Sequence, residues 1–250
     1  MLDTLRSGHI NLKMKWNKIY FDGCSRMWGG ELENREQERF SFLVSKELEA
    51  EEYNISKPMA SNDRILRQLI FDHNISDFDL AVIQMSFPSR TEYYDKMKDK
   101  FLNVSISHTP LWERWKNVTF NQAPAGRIKD TPDWSHPMGI KGKKRGWNHW
   151  TDQDRQFWLH YYTNVYTDYY GVVKEKIIYQ NIKDHCKVND VPLILMTNNN
   201  WDTNLEFDLE IEHVKYPKSK GGHETKEGHK ILAEDVLSVL KTGKKIYYSR

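Results

Sequence analysis

Cysteine is scarce in this sequence, with only Cys24 and Cys186 among 250 residues. Two cysteines cannot build the disulfide framework that supports many small secreted domains. We therefore expect both to be small core residues in a protein that works in a reducing compartment.

The chain also lacks an excess of one charge and any long apolar run. Its formal net charge is +2, whereas dedicated nucleic-acid-binding proteins usually carry a strong basic excess. It contains no apolar stretch of the roughly 18 residues that a transmembrane helix needs. Its first residues lack the apolar core of a signal peptide. These absences predict a cytoplasmic protein without a membrane span, and they argue against nucleic acid as its partner.

Aromatic residues, in contrast, are abundant, with 9 Trp, 13 Tyr and 10 Phe. This supply suits either an aromatic-rich core or a groove on which carbohydrate rings or bases stack. A length of 250 residues fits one large domain with a sizeable insertion, so we expect a single domain over 1–250.

The hydrophobic pattern alternates between the periods of strands and helices. Strands are predicted at 16–22, 52–56, 78–85 and 191–197, a short extra strand at 207–214, and helices at 36–48, 61–70, 152–187 and 225–240. The segment 78–85 is apolar almost throughout, which is typical of a strand buried on both faces of a parallel sheet. This order of elements predicts an α/β fold with right-handed crossovers.

The region from Ser86 to about Trp150 follows neither period and is predicted to be irregular, with a Trp-rich insertion at about 100–150. It contains a basic run, Lys141–Arg145, flanked by Trp134, Trp147 and Trp150. Basic residues interleaved with aromatic ones suit a phosphate, an acidic glycan or single-stranded nucleic acid. A solvated loop whose tryptophans pack on the body of the protein is the alternative.

Two short segments near opposite ends of the chain carry the residue types of a catalytic pair. Ser25 ends a small-residue turn after the first predicted strand, and His223 lies just before the last predicted helix. A parallel sheet can bring such segments together at its carboxyl edge. A serine and a histidine that meet there are a candidate nucleophile and base.

Four motifs together resemble the SGNH, or GDSL-like, hydrolase superfamily, most closely a branch met in phage and environmental genomes. They are Gly23-Cys24-Ser25, Trp28-Gly29-Gly30-Glu31-Leu32, the helix start Ser61-Asn62-Asp63-Arg64-Ile65, and His223 followed by Gly228-His229 and Ala233. The resemblance covers about 16–90 and 190–240 and leaves out the insertion.

The resemblance implies a flavodoxin-like three-layer α/β/α sandwich and the hydrolysis of esters without a cofactor. Carried over to this chain, Ser25 is the nucleophile and His223 the general base. The backbone N–H of Ser25 is then one donor of the oxyanion hole. The expected substrate is a small-molecule or glycan ester.

The chain departs from the family pattern at three places. Lys220 stands where the family has the aspartate that orients the histidine, Pro58-Met59 where it has an oxyanion glycine, and Met85–Pro88 where it has the oxyanion asparagine. We expect Asn62, at a helix start, to act as a substitute donor. Glu224 and Asp202 remain open as carboxylates that reach His223.

Further residues complete the predicted site. Arg90, just beyond the third predicted strand, is a candidate for binding an anionic group of the substrate, and Trp28 is a second candidate substrate-binding residue. His136, His149 and His160 have no recognised metal-ligand spacing, so no metal site is predicted.

Three functional hypotheses follow. The first is a serine-dependent esterase, for example an acetylesterase, that acts on a carbohydrate or another polar ester. The second is a catalytically degraded SGNH fold that serves as a binding or structural protein, for example in phage. The third is a nucleic-acid-binding protein that uses the basic insertion. The sequence does not indicate an oligomeric state.

Overall fold

A computed structural model describes residues 15–96, 99–104, 156–158, 160–198, 205–211, 215–220 and 222–245. The basic run Lys141–Arg145, the flanking tryptophans and most of the predicted insertion lie outside these residues. The elements described below belong to the remaining parts of the chain.

A parallel sheet of five strands forms the centre of the fold. Its strands are β1 (Lys18–Asp22), β2 (Glu51–Asn54), β3 (Leu80–Met85), β6 (Leu193–Thr197) and β7 (Leu209–Glu210), in the spatial order β2-β1-β3-β6-β7. All four neighbouring pairs are parallel. The predicted α/β class and flavodoxin-like sandwich are therefore confirmed, and the weakly alternating segment 207–214 contributes a two-residue edge strand.

Helices cover both faces of the sheet. They are α1 (Ser25–Trp28), α2 (Arg35–Glu38), α3 (Phe40–Glu47), α4 (Asn62–Arg67), α5 (Asp168–Val188) and α6 (Lys226–Thr242). Side chains of β1 alternate between the faces: Phe21 packs in the cluster that includes Val236 of α6, and Tyr20 in the cluster with Ile65 of α4 and Ile182 of α5. Both predicted core cysteines are free and buried.

The single helix predicted at 36–48 is instead two helices that meet at Arg39. The backbone of Arg39 is extended, with ψ of 147°, and its guanidinium binds Glu52 through Nε and Nη2 at 2.9 and 2.8 Å. The new helix begins at Phe40, whose N–H donates to Nδ1 of His229 at 3.1 Å. This histidine satisfies one of the backbone donors that every helix start leaves open.

The region after β3 is more regular than the sequence predicts. Strands β4 (Thr91–Asp95) and β5 (Lys100–Val104) form an antiparallel hairpin that is separate from the central sheet. Val104 is buried with Trp158, Tyr162 and Tyr166 in a third apolar cluster. The hairpin was missed because its strands are mostly polar and only partly buried.

The helix predicted at 152–187 is interrupted before α5. A π-helical turn at Tyr161–Val165 ends in an extended Tyr166, and α5 then begins after Thr167, whose hydroxyl accepts from the N–H of Tyr170. Gly171 lies within α5 and does not interrupt it. A Cβ at Gly171 would be 2.3 Å from Oη of Tyr166, so the glycine makes room for this ring.

In the parts of the chain described above, no helix combines the length and the apolar character needed to cross a membrane.

His229 gives the fold a specific dependence on pH. Burial lowers its pKa from the ordinary 6.5 to about 4, and only the neutral ring can accept from the N–H of Phe40. The stability that it contributes is therefore complete above pH 6.5 and is lost as the pH falls towards 4. We predict that His229→Gln lowers the free energy of unfolding by about 2 to 3 kcal/mol less at pH 4.5 than at pH 7.5. Urea unfolding at the two pH values measures this difference.

The glutamine variant is the internal control, since its amide can accept the same hydrogen bond without titrating. Parallel stability curves for the wild type and His229→Gln over this range would contradict the prediction.

Candidate active site

Ser25 lies at the carboxyl end of β1, as the first residue of α1. The turn that leads to it packs closely on the neighbouring strand. A Cβ at Gly23 would lie 2.9 Å from Cβ of Gln84 in β3, which is closer than real Cβ contacts allow. Glycine at this position therefore lets the turn that carries Ser25 pack closely against β3.

His223 meets Ser25 from the turn before α6. Its Nε2 lies 2.8 Å from Oγ of Ser25, within the range expected of a nucleophile and its base. The turn is held by a hydrogen bond from the Ser219 N–H to the His223 carbonyl and by antiparallel backbone pairing between Lys218 and Glu224. The two residues that the sequence predicts as catalytic are thus brought together, although 198 positions separate them.

Glu31 supplies a carboxylate to the other side of the imidazole. Its Oε2 lies 3.0 Å from Nδ1 of His223 and 3.3 Å from the His223 backbone nitrogen, which donates to it. The hydroxyl of Ser219 donates to the same oxygen. These hydrogen bonds, that of Ser219 above all, lower the pKa of Glu31, so this residue is ionised at neutral pH.

The chain reverses direction sharply to place Glu31 beside the histidine. Gly29 ends α1 with φ of 80°, and Glu31 itself has φ of 69°. Non-glycine residues in this left-handed region are uncommon and occur preferentially at functional sites. Gly30, between them, lies against the ring: a Cβ there would be 3.1 Å from Cδ2 of His223.

The three side chains form one hydrogen-bonded series from carboxylate to imidazole to hydroxyl. An ionised Glu31 favours the tautomer with the proton on Nδ1, which leaves Nε2 free to accept from the Ser25 hydroxyl. The His223 side chain is 28% exposed, and Ser25 is half-buried. Both side chains are therefore partly accessible to solvent.

In the described structure, Glu31 binds Nδ1 of His223 in place of the carboxylates that the sequence leaves open. Glu224 is fully buried and pairs with Arg26 and Lys218, and Asp202 lies outside the described residues. Lys220, at the expected position of the aspartate, is exposed. Sequence reasoning missed Glu31 because the family pattern directs attention to the segment before His223. The available signal was a carboxylate six residues after Ser25, just after two glycines.

Asn62 contacts the segment after β3. Its Nδ2 donates to the Ser86 carbonyl at 3.1 Å, and its Oδ1 accepts from the Ser86 N–H at 2.6 Å. The helix cap at this position is provided by Ser61, whose Oγ accepts from the Arg64 N–H at 3.2 Å. Asn62 thus anchors the loop beyond β3, and its hydrogen bonds in the described structure do not include Ser25. Its predicted part in the oxyanion hole stays a prediction.

The two candidate substrate-binding residues differ in their surroundings. Arg90 is buried, and its Nη1 lies 2.8 Å from Oγ of Ser86 and 3.5 Å from the Ala60 carbonyl. Trp28 is half-buried, and the guanidinium of Arg35 stacks 3.8 Å from the centre of its ring. A ligand that stacks on Trp28 would therefore use the face opposite Arg35.

The sequence does not predict the buried polar cluster that lies beside the turn carrying Ser25. Oε1 of Gln84 accepts from the N–H of Met27 at 3.2 Å and lies 3.7 Å from Sγ of Cys24, while its Nε2 donates to Oδ1 of Asn198 at 2.6 Å. Nδ2 of Asn198 in turn lies 3.7 Å from the same sulfur. The cluster links the turn after β1 to β3 and to the end of β6, and it satisfies a backbone donor at the start of α1.

A buried ion pair fixes the last residue of β1. Oδ1 of Asp22 accepts from Nη1 of Arg64 at 2.7 Å and from the Gly23 N–H at 2.8 Å. Burial raises the pKa of Asp22 to about 7, although the charge of Arg64 opposes this shift. Nη2 of Arg64 also donates to the Ile55 carbonyl at 2.6 Å, so this arginine joins β1 to the segment after β2.

No group of three or more His, Cys, Asp or Glu side chains is arranged to hold a metal ion in the described residues. His160 is exposed and contacts Asn164, and His136 and His149 lie outside those residues. Comparison of the chain with protein-family models and with curated proteins finds no match. The resemblance to SGNH hydrolases therefore depends on the motifs and the site geometry alone.

If Glu31 orients His223, its neutral isostere should impair a Ser25-dependent reaction. We predict that Glu31→Gln lowers kcat about a hundredfold, because the amide no longer holds the reactive tautomer or stabilises the charged imidazole. The measurement is ester hydrolysis under saturating substrate. Glu33→Gln removes an exposed carboxylate two residues away and should keep the wild-type rate. Equal rates for all three proteins would exclude Glu31 from the mechanism.

Proposed function

We propose that the protein is a serine-dependent hydrolase of carboxylic esters, of the SGNH type. The observation that carries this proposal is the hydrogen-bonded series Glu31–His223–Ser25 at the carboxyl edge of a parallel sheet. That edge is where α/β proteins of this kind bind their ligands. Both the motif order and the fold class agree with the proposed family.

In the first half of the reaction, Oγ of Ser25 attacks the carbonyl carbon of the ester. Nε2 of His223 takes the hydroxyl proton as the new C–O bond forms, and the carbonyl electron pair moves onto the oxygen. When this tetrahedral intermediate collapses, the bond to the leaving alkoxide breaks. The alkoxide takes the proton from Nε2 and leaves as an alcohol, with the acyl group on Ser25.

In the second half, a water molecule replaces the alcohol. It gives a proton to Nε2 of His223 while its oxygen bonds to the acyl carbon. Collapse of the second intermediate breaks the bond to Ser25 and releases the carboxylic acid, and the proton on Nε2 returns to Oγ. Glu31 stabilises the positive imidazole in both halves.

The site suits a polar ester of modest size in a reducing cytoplasm. Ser25, His223 and Trp28 are partly accessible, and both cysteines are free thiols. We therefore propose a small-molecule or glycan ester as substrate, acetyl esters among them.

A degraded SGNH fold that only binds a ligand is the second candidate. It is favoured by the absence of the family's oxyanion glycine and asparagine and by the commitment of Asn62 to Ser86. The nucleic-acid hypothesis depends on the basic insertion, outside the described residues, and it stays a prediction.

Hydrolysis of p-nitrophenyl acetate separates the first two candidates. The wild type should release p-nitrophenol in repeated turnovers, and Ser25→Ala should reduce the rate to that of the uncatalysed reaction, since it removes the nucleophile. Ser76→Ala changes an exposed serine in another part of the chain and should keep full activity. A wild type no faster than Ser25→Ala would leave the binding protein as the better account.

A further inference from the structure

Arg90 occupies the region from which the family's missing oxyanion donors would come. Its Nη1 contacts the carbonyl of Ala60, in the segment after β2, and Oγ of Ser86, directly after β3. These are the segments in which the chain lacks the expected glycine and asparagine. We propose that the guanidinium of Arg90 stabilises the oxyanion that forms during attack by Ser25, a proposal that rests on the proposed esterase function.

The order of the strands brings Arg90 to the nucleophile. β1 lies between β2 and β3 in the sheet, so a group that contacts both Ala60 and Ser86 spans the carboxyl end of β1. Cys24 follows that end and immediately precedes Ser25. Burial lowers the pKa of Arg90, and an interaction with the Cys24 side chain opposes this shift, which agrees with this proximity.

The hydrogen-bonding of Arg90 is incomplete in a way that points to a ligand. The residue is only 9% exposed, yet its Nε is buried and has no hydrogen-bond partner. Buried donors without a partner are rare because they lose the hydrogen bonds that water would provide. A substrate oxygen that becomes negative in the transition state would accept the hydrogen bond that the guanidinium does not make.

Arg90 is also held in place before any substrate arrives. Besides its contacts through Nη1, the guanidinium lies 4.7 Å from the centre of the Phe87 ring, and Ser86 is itself anchored by Asn62. Donors that are fixed in advance stabilise developing charge without reorganisation. A charged donor makes a stronger hydrogen bond than the neutral amide it would replace. Asn62 then acts as a positioning residue for Arg90.

Steady-state kinetics of Arg90→Met and Arg90→Lys on p-nitrophenyl acetate test this role. Loss of one oxyanion donor costs about a hundred- to thousandfold in kcat, so we expect a fall of this size in Arg90→Met with KM changed less than about threefold. Arg90→Lys keeps the charge and should recover part of the loss. Arg67→Met removes another partly buried arginine, bound to Glu92, and should retain the wild-type kcat.

The outcomes separate this proposal from the function on which it depends. If the wild type is no faster than Ser25→Ala, both fail. If the wild type is active and Arg90→Met keeps its kcat, only the role of Arg90 fails. If Arg90→Met instead raises KM for the anionic ester mono-p-nitrophenyl succinate and leaves the acetate unaffected, Arg90 binds an anionic substrate group and the oxyanion role is overturned.

Folding of each variant is checked by circular dichroism. If Arg90→Met does not fold, Arg90→Lys decides alone: a kcat at the wild-type level for the acetate ester would overturn the proposal, because lysine cannot reproduce the planar donor set of the guanidinium.

Discussion

The pairing of β1 with a parallel strand on each side is the constraint on which the site depends. β2 and β3 bind the two edges of β1, so the segments that follow all three strands meet at one end of the sheet. Ser25 follows β1, the middle one of these three strands, while Ala60 lies in the segment after β2 and Ser86 directly after β3. A group that contacts Ser25 can come from these neighbours or from a segment that passes over them, as the turn before α6 does.

Buried polar interactions keep this edge in register. The ion pair of Asp22 and Arg64 ties the end of β1 to the segment after β2, and Gln84 ties the Ser25 turn to β3 and Asn198. Loss of one member of a buried pair is costly, about 3 to 5 kcal/mol, because the partner charge is left uncompensated. The Glu31–His223–Ser25 series is more exposed than these buried groups.

The sequence predicts the fold and two of the three members of the Glu31–His223–Ser25 series, Ser25 and His223, because apolar periodicity and strand-end motifs are local signals. β3 is an example, since its six residues are buried and its sequence is almost wholly apolar. The break at Arg39 and the role of Glu31 were missed because each depends on a contact with a distant residue, Arg39 with Glu52 and Glu31 with His223. Hairpin β4–β5 carries no clear alternation, and neither composition nor spacing indicates that Arg90 joins two strand ends.

Covalent labelling with a fluorophosphonate tests most directly whether His223 activates Ser25 as a nucleophile. A fluorophosphonate reacts much faster with an activated serine than with an ordinary one, and peptide mass spectrometry identifies the modified residue. We expect a single adduct on Ser25 in the wild type, which forms far more slowly in His223→Ala and is absent from Ser25→Ala. An unlabelled Ser25 in the folded wild type, or equal labelling in His223→Ala, would contradict this expectation.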